Sequence, residues 1–318
     1  MTKPGILVFA YHDVGHECLD VLVQGGKRVL AVFTHEDNPN ETIWFKSVAR
    51  LARDHGIPVY TPKDVNTAAC IARMRVLQPD IIFSFYYRHM LCQDILDMPR
   101  LGAFNLHGSL LPKYRGRVPI NWAIIHGESE TGASLHYMVK KPDAGDIVDQ
   151  EAVAIGARDT AQVVFSRVVQ AARRILERQI DAIEQGRNPR HPQDARQASY
   201  FGGRRPEDGR IDWRCSAQTI FNLIRAVTHP YPGAYTQMDG RKLYIWWALP
   251  HSQDDGTPGE ILSREPLRVA TGSGGLEIVS LQWQNEKEQA AVADTHGLAA
   301  GQRLGVPPAA ITFTNATI

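Results

Sequence analysis

The first half of the chain alternates short apolar runs with segments of helical periodicity. Residues 6–10 form a continuous apolar run, which is typical of a strand buried on both faces. The segment 45–55 places Phe45, Val48 and Leu51 on one stripe, as an amphipathic helix does. Further strands are predicted over 28–34, 57–60, 80–86 and 103–107, and further helices over 17–24 and 67–77. This rhythm predicts an α/β fold with a doubly wound, mostly parallel, Rossmann-like sheet.

The sequence pattern changes after a long helical segment over 160–185. Pro189 and Pro192 end that pattern, and short aromatic or alternating runs then appear between glycines and prolines, which is typical of a small β-rich domain. We predict a first domain over 1–190, a linker over 191–204, a smaller OB-like, β-barrel-like C-terminal domain over 205–305 and a loose tail over 306–318.

Composition narrows the class of protein. The 35 Lys and Arg against 34 Asp and Glu leave a formal net charge of +1, which gives no general attraction for nucleic acid or anionic lipid. The four cysteines form no CxxC pair, so we expect reduced thiols and no zinc ribbon. The N-terminal apolar run is too short for a signal peptide, and no apolar run is long enough to span a membrane. We therefore expect a cytoplasmic enzyme without membrane insertion.

One strand end carries a carboxamide and an imidazole. Asn105 and His107 are two residues apart, so they face the same side, about 7 Å apart along the strand. Ligands bind at the carboxyl ends of strands in open α/β sheets. Asp143 follows in a later loop. A carboxamide that holds an oxyanion, an imidazole that moves protons and a carboxylate that orients the ring suit acyl transfer.

These residues also have structural readings. A histidine at a strand end is more often structural than catalytic, and an aspartate before Ala-Gly often forms a turn. No serine or cysteine is paired with the imidazole as a nucleophile, so the chemistry would be direct attack on an acyl donor by a substrate amine. His12 and His16 have metal-ligand spacing, but no third ligand accompanies them and we expect no metal.

Two strings, FNLHGSLLPKYRGRVPINWAI and TGASLHYMVKKPDAGDI, resemble the folate-dependent formyltransferase family. The resemblance covers about residues 5–285. The strings VFAYHDVG, IIFSFYYRHML and IRAVTHPYPGAY are most similar to the family members that formylate UDP-4-amino-4-deoxy-L-arabinose in lipid A and lipopolysaccharide modification, a route to antibiotic resistance. Those bifunctional enzymes carry a dehydrogenase domain for which this chain has no room, so we expect a free-standing homologue.

The resemblance implies roles for the strand-end residues. The donor would be 10-formyltetrahydrofolate, and the 4-amino group of the sugar would attack its formyl carbon. By position, Asn105 matches the oxyanion donor and His107 the proton-transfer residue. Asp143, rather than Asp146, matches the carboxylate that supports the imidazole, and we expect it to keep the pKa of His107 high.

The resemblance also implies two binding surfaces. Folate contacts are expected from His89, Met90, Leu91, Arg117, Val139, Lys140, Lys141 and Pro142. Contacts with the nucleotide sugar are expected from Tyr11, His12, Ser109, Lys113 and Arg115, the cations serving a diphosphate. Taken alone, Met90 and Leu91 are equally consistent with a hydrophobic core, and Lys113 and Arg115 with solvated loop charges.

The sequence is also compatible with three other functions. Methionyl-tRNA formyltransferase uses the same chemistry, but residues 201–318 carry 11 Lys and Arg and 12 Asp and Glu, a net charge of −1, whereas a tRNA-binding domain concentrates cations. We therefore expect no nucleic-acid partner. The acceptor could instead be another nucleotide-linked amino sugar. A catalytically silent folate- or nucleotide-binding module is the third alternative, and the oligomeric state is not determined by the sequence.

Overall fold

Two β-sheets organise the chain in the computed structural model, which describes residues 3–39, 42–292 and 297–305. The chain forms two units. The first comprises Met1–Ala123, Glu128–Ala157 and Gln162–Gly203, and the second comprises Ile124–Gly127, Arg158–Ala161 and Arg204–Ile318.

The first sheet lies in the first unit. The strands up to residue 201 are β1 (Gly5–Ala10), β2 (Arg28–Phe33), β3 (Val59–Tyr60), β4 (Ile81–Phe85), β5 (Gly102–His107), β6 (Arg115–Gly116), β7 (Glu130–Tyr137), β8 (Ile147–Ala154) and β9 (Tyr200–Phe201). The helices of this part of the chain are α1 (His12–Gln24), α2 (Val48–Asp54), α3 (Ala68–Leu77), α4 (Gln93–Leu96), α5 (Pro119–Ile125) and α6 (Ala161–Glu184).

Seven of these strands form the large sheet, in the order β3-β2-β1-β4-β5-β7-β8. The pairs among β1 to β5 are parallel, and β7 and β8 add two antiparallel pairs. Every residue of β1 is buried, as its unbroken apolar sequence requires in a sheet covered on both faces. Side chains of Ser47 and Thr67 accept backbone N–H groups at the starts of α2 and α3, which fixes where these helices begin. The predicted doubly wound, mostly parallel sheet is confirmed.

The position of β5 decides where the functional side chains lie. It pairs in parallel with β4 and antiparallel with β7. The second pairing sets Asn105 opposite His136 and His107 opposite Ser134. Residues directly opposite in an antiparallel pair have side chains on the same face of the sheet. A residue of β7 therefore lies beside each of the two strand-end residues of β5.

The second unit is a smaller antiparallel β-domain, as expected. It contains α7 (Ala217–Val227), β10 (Ala234–Met238), β11 (Arg241–His251), β12 (Ile261–Arg264), β13 (Leu267–Ala270), β14 (Gly275–Trp283) and β15 (Gln289–Ala290). The sheet has the order β10-β11-β14-β13-β12, and β15 also pairs with β14. The apolar side chains of α7 at Ile220, Phe221 and Ile224 are buried, and Ser216 caps its start.

The segment predicted as a linker, 191–204, belongs to the first unit up to Gly203. It contains β9, which pairs in parallel with β6. The predicted tail, 306–318, lies outside the described residues. Within the described ranges, no helix combines the length and the apolar character that crossing a membrane requires.

Candidate active site

The imidazole of His107 is buried at the carboxyl end of β5. Leu106 points to the opposite face and is 1 % exposed, which leaves Asn105 and His107 on a common face. The Nε2 atom of His107 lies 2.8 Å from the carbonyl oxygen of Tyr114. Because a carbonyl oxygen only accepts, Nε2 carries the hydrogen, and the neutral ring presents the lone pair of Nδ1 on its other side.

Asp143 faces that lone pair. Its Oδ1 atom is 3.6 Å from His107 Nδ1, and its Oδ2 atom accepts the backbone N–H of Gly116 at 2.8 Å. The residue has a φ of 52°, a left-handed conformation that aspartate tolerates better than most residues. A carboxylate brought from a separate loop is thus placed beside the proton-accepting atom of the imidazole.

His136 is a fourth member of the site that the sequence analysis did not identify. It is 1 % exposed, and its Nδ1 atom donates to the carbonyl oxygen of Tyr137 at 2.8 Å. In the neutral ring Nε2 accepts from Asn105 Nδ2, 3.1 Å away, and it lies 3.5 Å from Asp143 Oδ1. This contact uses one of the two amide hydrogens of Asn105 and fixes the plane of the carboxamide. Prediction of the β5–β7 pairing would have revealed His136, because it lies opposite Asn105.

Burial and charge act against each other on the acid–base pair. Burial lowers the pKa of His107 below 6.5, although Asp143 and the carbonyl of Tyr114 act to raise it. Burial acts to raise the pKa of Asp143, but the positive charge that His107 and His136 carry when protonated, together with the Gly116 N–H, lowers it overall. Asp143 acts to raise the pKa of His107, as expected, but desolvation of the ring outweighs the attraction of the carboxylate and the net pKa is lowered. The resting pair is therefore a neutral imidazole beside an ionised carboxylate.

This arrangement suits proton abstraction at Nδ1. A neutral imidazole accepts a proton there, and the imidazolium that forms lies next to a carboxylate that stabilises it. The second amide hydrogen of Asn105 is able to hold a developing oxyanion. The described residues contain no group of three or more His, Cys, Asp or Glu side chains placed to hold a metal ion.

Tyr11 and His12 follow β1 and are packed into the protein. The Tyr11 hydroxyl donates to Asp37 Oδ1 at 2.8 Å, and the ring lies beneath the guanidinium of Arg88 at 4.7 Å. The His12 ring stacks on Phe45 with centroids 4.1 Å apart. Burial, followed by the charge of Arg88, lowers the pKa of His12 to about 4. Tyr11 and His12 therefore offer a ligand an aromatic wall rather than charged groups.

The loop after β5 contains the three other predicted sugar contacts, and they differ in exposure. Ser109 is fully buried, and its hydroxyl donates to the carbonyl of Lys113 at 2.7 Å. Lys113 is exposed. Arg115 is 2 % exposed, and its guanidinium donates within the protein to Gln193 and Tyr200. Lys113 thus presents its charge to solvent, whereas Arg115 does not.

The segment predicted to contact folate after β4 is largely exposed. His89 and Met90 are exposed, Met90 at 57 %, while Leu91 is buried with the core. Arg117 is exposed, and its Nη2 atom lies 3.4 Å from the carbonyl oxygen of Arg88. Met90 is therefore the apolar side chain in this segment that a flat ring could cover.

The second predicted folate segment is the loop that leads to Asp143. Val139, Lys140, Lys141 and Pro142 are all exposed. The Nζ atom of Lys141 lies over the Tyr200 ring, 5.2 Å from its centroid, and the carbonyl of Pro142 accepts from the Tyr200 hydroxyl at 3.2 Å. This loop therefore offers both an apolar side chain and two cations to solvent next to Asp143.

Comparison with protein families identifies both parts of the chain. Residues 5–180 match the family described as formyl transferase, and residues 204–297 match the formyl transferase C-terminal domain.

Solved structures share the fold. An N-formyltransferase from Helicobacter canadensis, solved with folinic acid and dTDP-3-aminofucose, is 19 % identical with a TM-score of 0.68, covering 91 % of this chain and 100 % of its own. WlaRD, a sugar 3N-formyl transferase solved with dTDP and 5-N-formyl-THF, is 19 % identical with a TM-score of 0.67, covering 90 % and 100 %. HypX from Aquifex aeolicus, in complex with tetrahydrofolic acid, is 17 % identical with a TM-score of 0.62. The match covers 91 % of this chain but 46 % of HypX.

Proposed function

Because the chain belongs to the formyl transferase family, we propose that it transfers a formyl group from 10-formyltetrahydrofolate to the amino group of a nucleotide-linked amino sugar. The observation that carries this proposal is the convergence of Asn105, His107 and Asp143 on one buried site. Two similar structures support the substrate classes, since they were solved with formylated folates together with dTDP or dTDP-3-aminofucose.

The chemistry proceeds by direct attack. The sugar amine attacks the formyl carbon, and the C=O electron pair moves to the oxygen, which an N–H of Asn105 holds. His107 Nδ1 takes the proton released by the attacking nitrogen, and Asp143 stabilises the imidazolium. The imidazolium returns this proton to N10 of the donor as the C–N bond breaks, so the enzyme ends in its starting state.

The residues present fit the folate donor. Met90 and Val139 are 57 % and 41 % exposed, and an exposed apolar side chain on each of the two predicted folate segments suits a ring system. Arg117, Lys140 and Lys141 are exposed cations that match the carboxylates of the glutamate tail.

For the acceptor, we propose UDP-4-amino-4-deoxy-L-arabinose, and with it a role in lipid A modification. The sequence strings around β1, β4 and β5 support this choice. Lys113 is an exposed cation of the loop after β5 and is our candidate for contact with the diphosphate. The aromatic wall at Tyr11 and His12 is our candidate for contact with the rest of the nucleotide sugar.

Mass spectrometry of the products tests the proposal. The purified protein is given 10-formyltetrahydrofolate with UDP-4-amino-4-deoxy-L-arabinose, with dTDP-3-aminofucose, or with charged initiator tRNA. We expect a mass gain of one formyl group on the arabinose nucleotide, and none with a His107→Asn variant. A gain on dTDP-3-aminofucose alone would contradict the acceptor that we propose, and a gain on the tRNA alone would contradict the whole class of acceptor.

A further inference from the structure

Residues 191–203, which we call the strap, run back across the loops that hold the catalytic pair. At its start, His191 and Ile147 exchange backbone hydrogen bonds of 2.8 and 2.9 Å. Near its end, the carbonyls of Ser199 and Phe201 accept the N–H groups of Arg115 and Arg117, both at 2.9 Å. The strap is therefore joined both to the strand that follows Asp143 and to the loop that follows His107.

Gln193 connects the strap with the backbone around Asp143. Its Nε2 atom donates to the carbonyl oxygens of Asp143 and Gly145, at 2.9 and 2.6 Å. Its Oε1 atom accepts from Nε and Nη2 of Arg115, at 3.1 and 2.6 Å. Both donor hydrogens of the carboxamide and its acceptor are used.

Arg115 is the central element of this network. Its buried guanidinium also donates from Nη1 to the hydroxyl of Tyr200 at 3.0 Å, and that hydroxyl contacts the carbonyl of Pro142. A cation with so little exposure usually has a structural partner. Here its described hydrogen bonds go to neutral groups that hold the two ends of the 142–145 turn.

The same network reaches the other catalytic residue. Tyr114, whose carbonyl accepts from His107, donates its own N–H to Ser199 Oγ of the strap at 2.9 Å. The neighbouring Gly116 holds Asp143 Oδ2 through its N–H. The imidazole of His107 is therefore linked to the strap through Tyr114. The carboxylate of Asp143 is linked to it through Gly116, which lies in the strand that pairs with the strap.

We propose that Gln193 is a positioning residue for the catalytic pair, acting with Arg115 to hold Asp143 beside Nδ1 of His107. The proposal rests on the proposed function for its catalytic consequence, but the geometry can be tested without it. It also reassigns Arg115, which the sequence analysis expected at the diphosphate, to the support of the 142–145 turn. Gln193 has no described hydrogen bond to either imidazole, so it acts on the reaction through Asp143 and through Arg115.

Titration of His107 gives a readout that does not depend on the acceptor. The ionisable groups that act on its ring are Asp143, His136 and Arg115. A Gln193→Met variant removes both donors to the turn without adding charge. As the carboxylate loses its fixed position, the imidazolium loses stabilisation, and we expect the titration midpoint of His107 to fall by about 0.5–1 pH unit. The measurement is ¹⁵N NMR of labelled histidines, with the resonance assigned through His107→Asn.

A second variant covers the case in which Gln193→Met does not fold. Gln193→Glu keeps an acceptor for Arg115 but has no N–H for the carbonyls of Asp143 and Gly145. We expect kcat for formyl transfer to fall about 10- to 100-fold, the usual effect of a small displacement at a reacting centre, with KM for both substrates within about 2-fold of the wild-type value. Gln197, whose side-chain amide donates to Asp194 on the same strap, provides the matched controls Gln197→Met and Gln197→Glu.

The outcomes separate this inference from the proposed function. Wild-type protein that formylates no amino-sugar nucleotide refutes the proposed function, while the NMR titration still decides the role of Gln193. An unchanged His107 midpoint in folded Gln193→Met, or Gln193→Glu with wild-type kcat, overturns the positioning role. A raised KM at unchanged kcat also overturns it, because that result assigns Gln193 to substrate binding.

Discussion

Asp143→Asn removes one charge from the site and leaves its shape. In the wild-type protein the carboxylate lies 3.6 Å from the atom of His107 that takes the proton. Opposite charges about 4 Å apart interact by about 4 kcal/mol at an effective dielectric constant of 20. Measured shifts at such distances are about 1–3 pKa units, or about 1.4–4 kcal/mol. Because the imidazolium forms only during the reaction, we expect kcat to fall about 10- to 1,000-fold.

The assay is steady-state formylation of the amino-sugar nucleotide, with kcat and KM measured separately. Asp146→Asn is the matched control, because the side chain of Asp146 pairs with Arg190 at 3.1 Å and its described side-chain contacts do not include the imidazoles. We expect wild-type kcat from Asp146→Asn and unchanged KM in both variants. Wild-type kcat in folded Asp143→Asn, or an equal loss in the two variants, would refute the reasoning.

Two predictions concern stability. The pKa of His12 is lowered from 6.5 to about 4, so the unfolded chain binds the extra proton first and stability falls as pH drops from 6.5 to 4, by up to about 3 kcal/mol. His12→Asn removes the titrating ring, and asparagine tolerates the φ of 64° at this position. We expect the free energy of unfolding of this variant, measured in urea, to depend less on pH. An unchanged pH dependence would contradict this prediction. Gly116→Ala would place a Cβ 2.2 Å from the Phe201 carbonyl oxygen at a φ of 99°, so we expect a loss of about 1–3 kcal/mol and reduced kcat. Gly240→Ala, with φ of 76° and nothing within 4 Å, should cost less by thermal unfolding, and equal losses would contradict the close-contact argument.

The sequence predicts best the elements whose burial is set by local pattern. The predicted bounds of β1, β4 and β5 agree with the structure within one or two residues, and β1 shows the reason most clearly, because a strand covered on both faces needs an unbroken apolar run. Helix α1 begins at His12, five residues before the predicted start. The residue before it, Tyr11, makes no side-chain hydrogen bond to the helix, so this start lacks the serine, threonine, aspartate or asparagine cap that a sequence pattern would reveal.

The parts of the site that the sequence does not predict depend on pairing between distant segments. His136 enters through the antiparallel register of β7 on β5, and Gln193 through the pairing of the strap with β6. From the sequence, Arg115 is predicted to contact the diphosphate, because the burial of a side chain cannot be read from a loop sequence. The sequence does not predict the lowered pKa of His107 either, since desolvation of the ring depends on the whole surrounding fold.

The central claim is that Asn105, His107 and Asp143 surround the formyl carbon during direct attack. A crystal structure with 10-formyltetrahydrofolate and UDP-L-arabinose, whose 4-hydroxyl replaces the attacking amine, tests it most directly. We predict the formyl oxygen at about 2.7–3.2 Å from Asn105 Nδ2 and the 4-hydroxyl at a similar distance from His107 Nδ1. A formyl group bound beyond direct or single-water reach of both side chains would contradict the account.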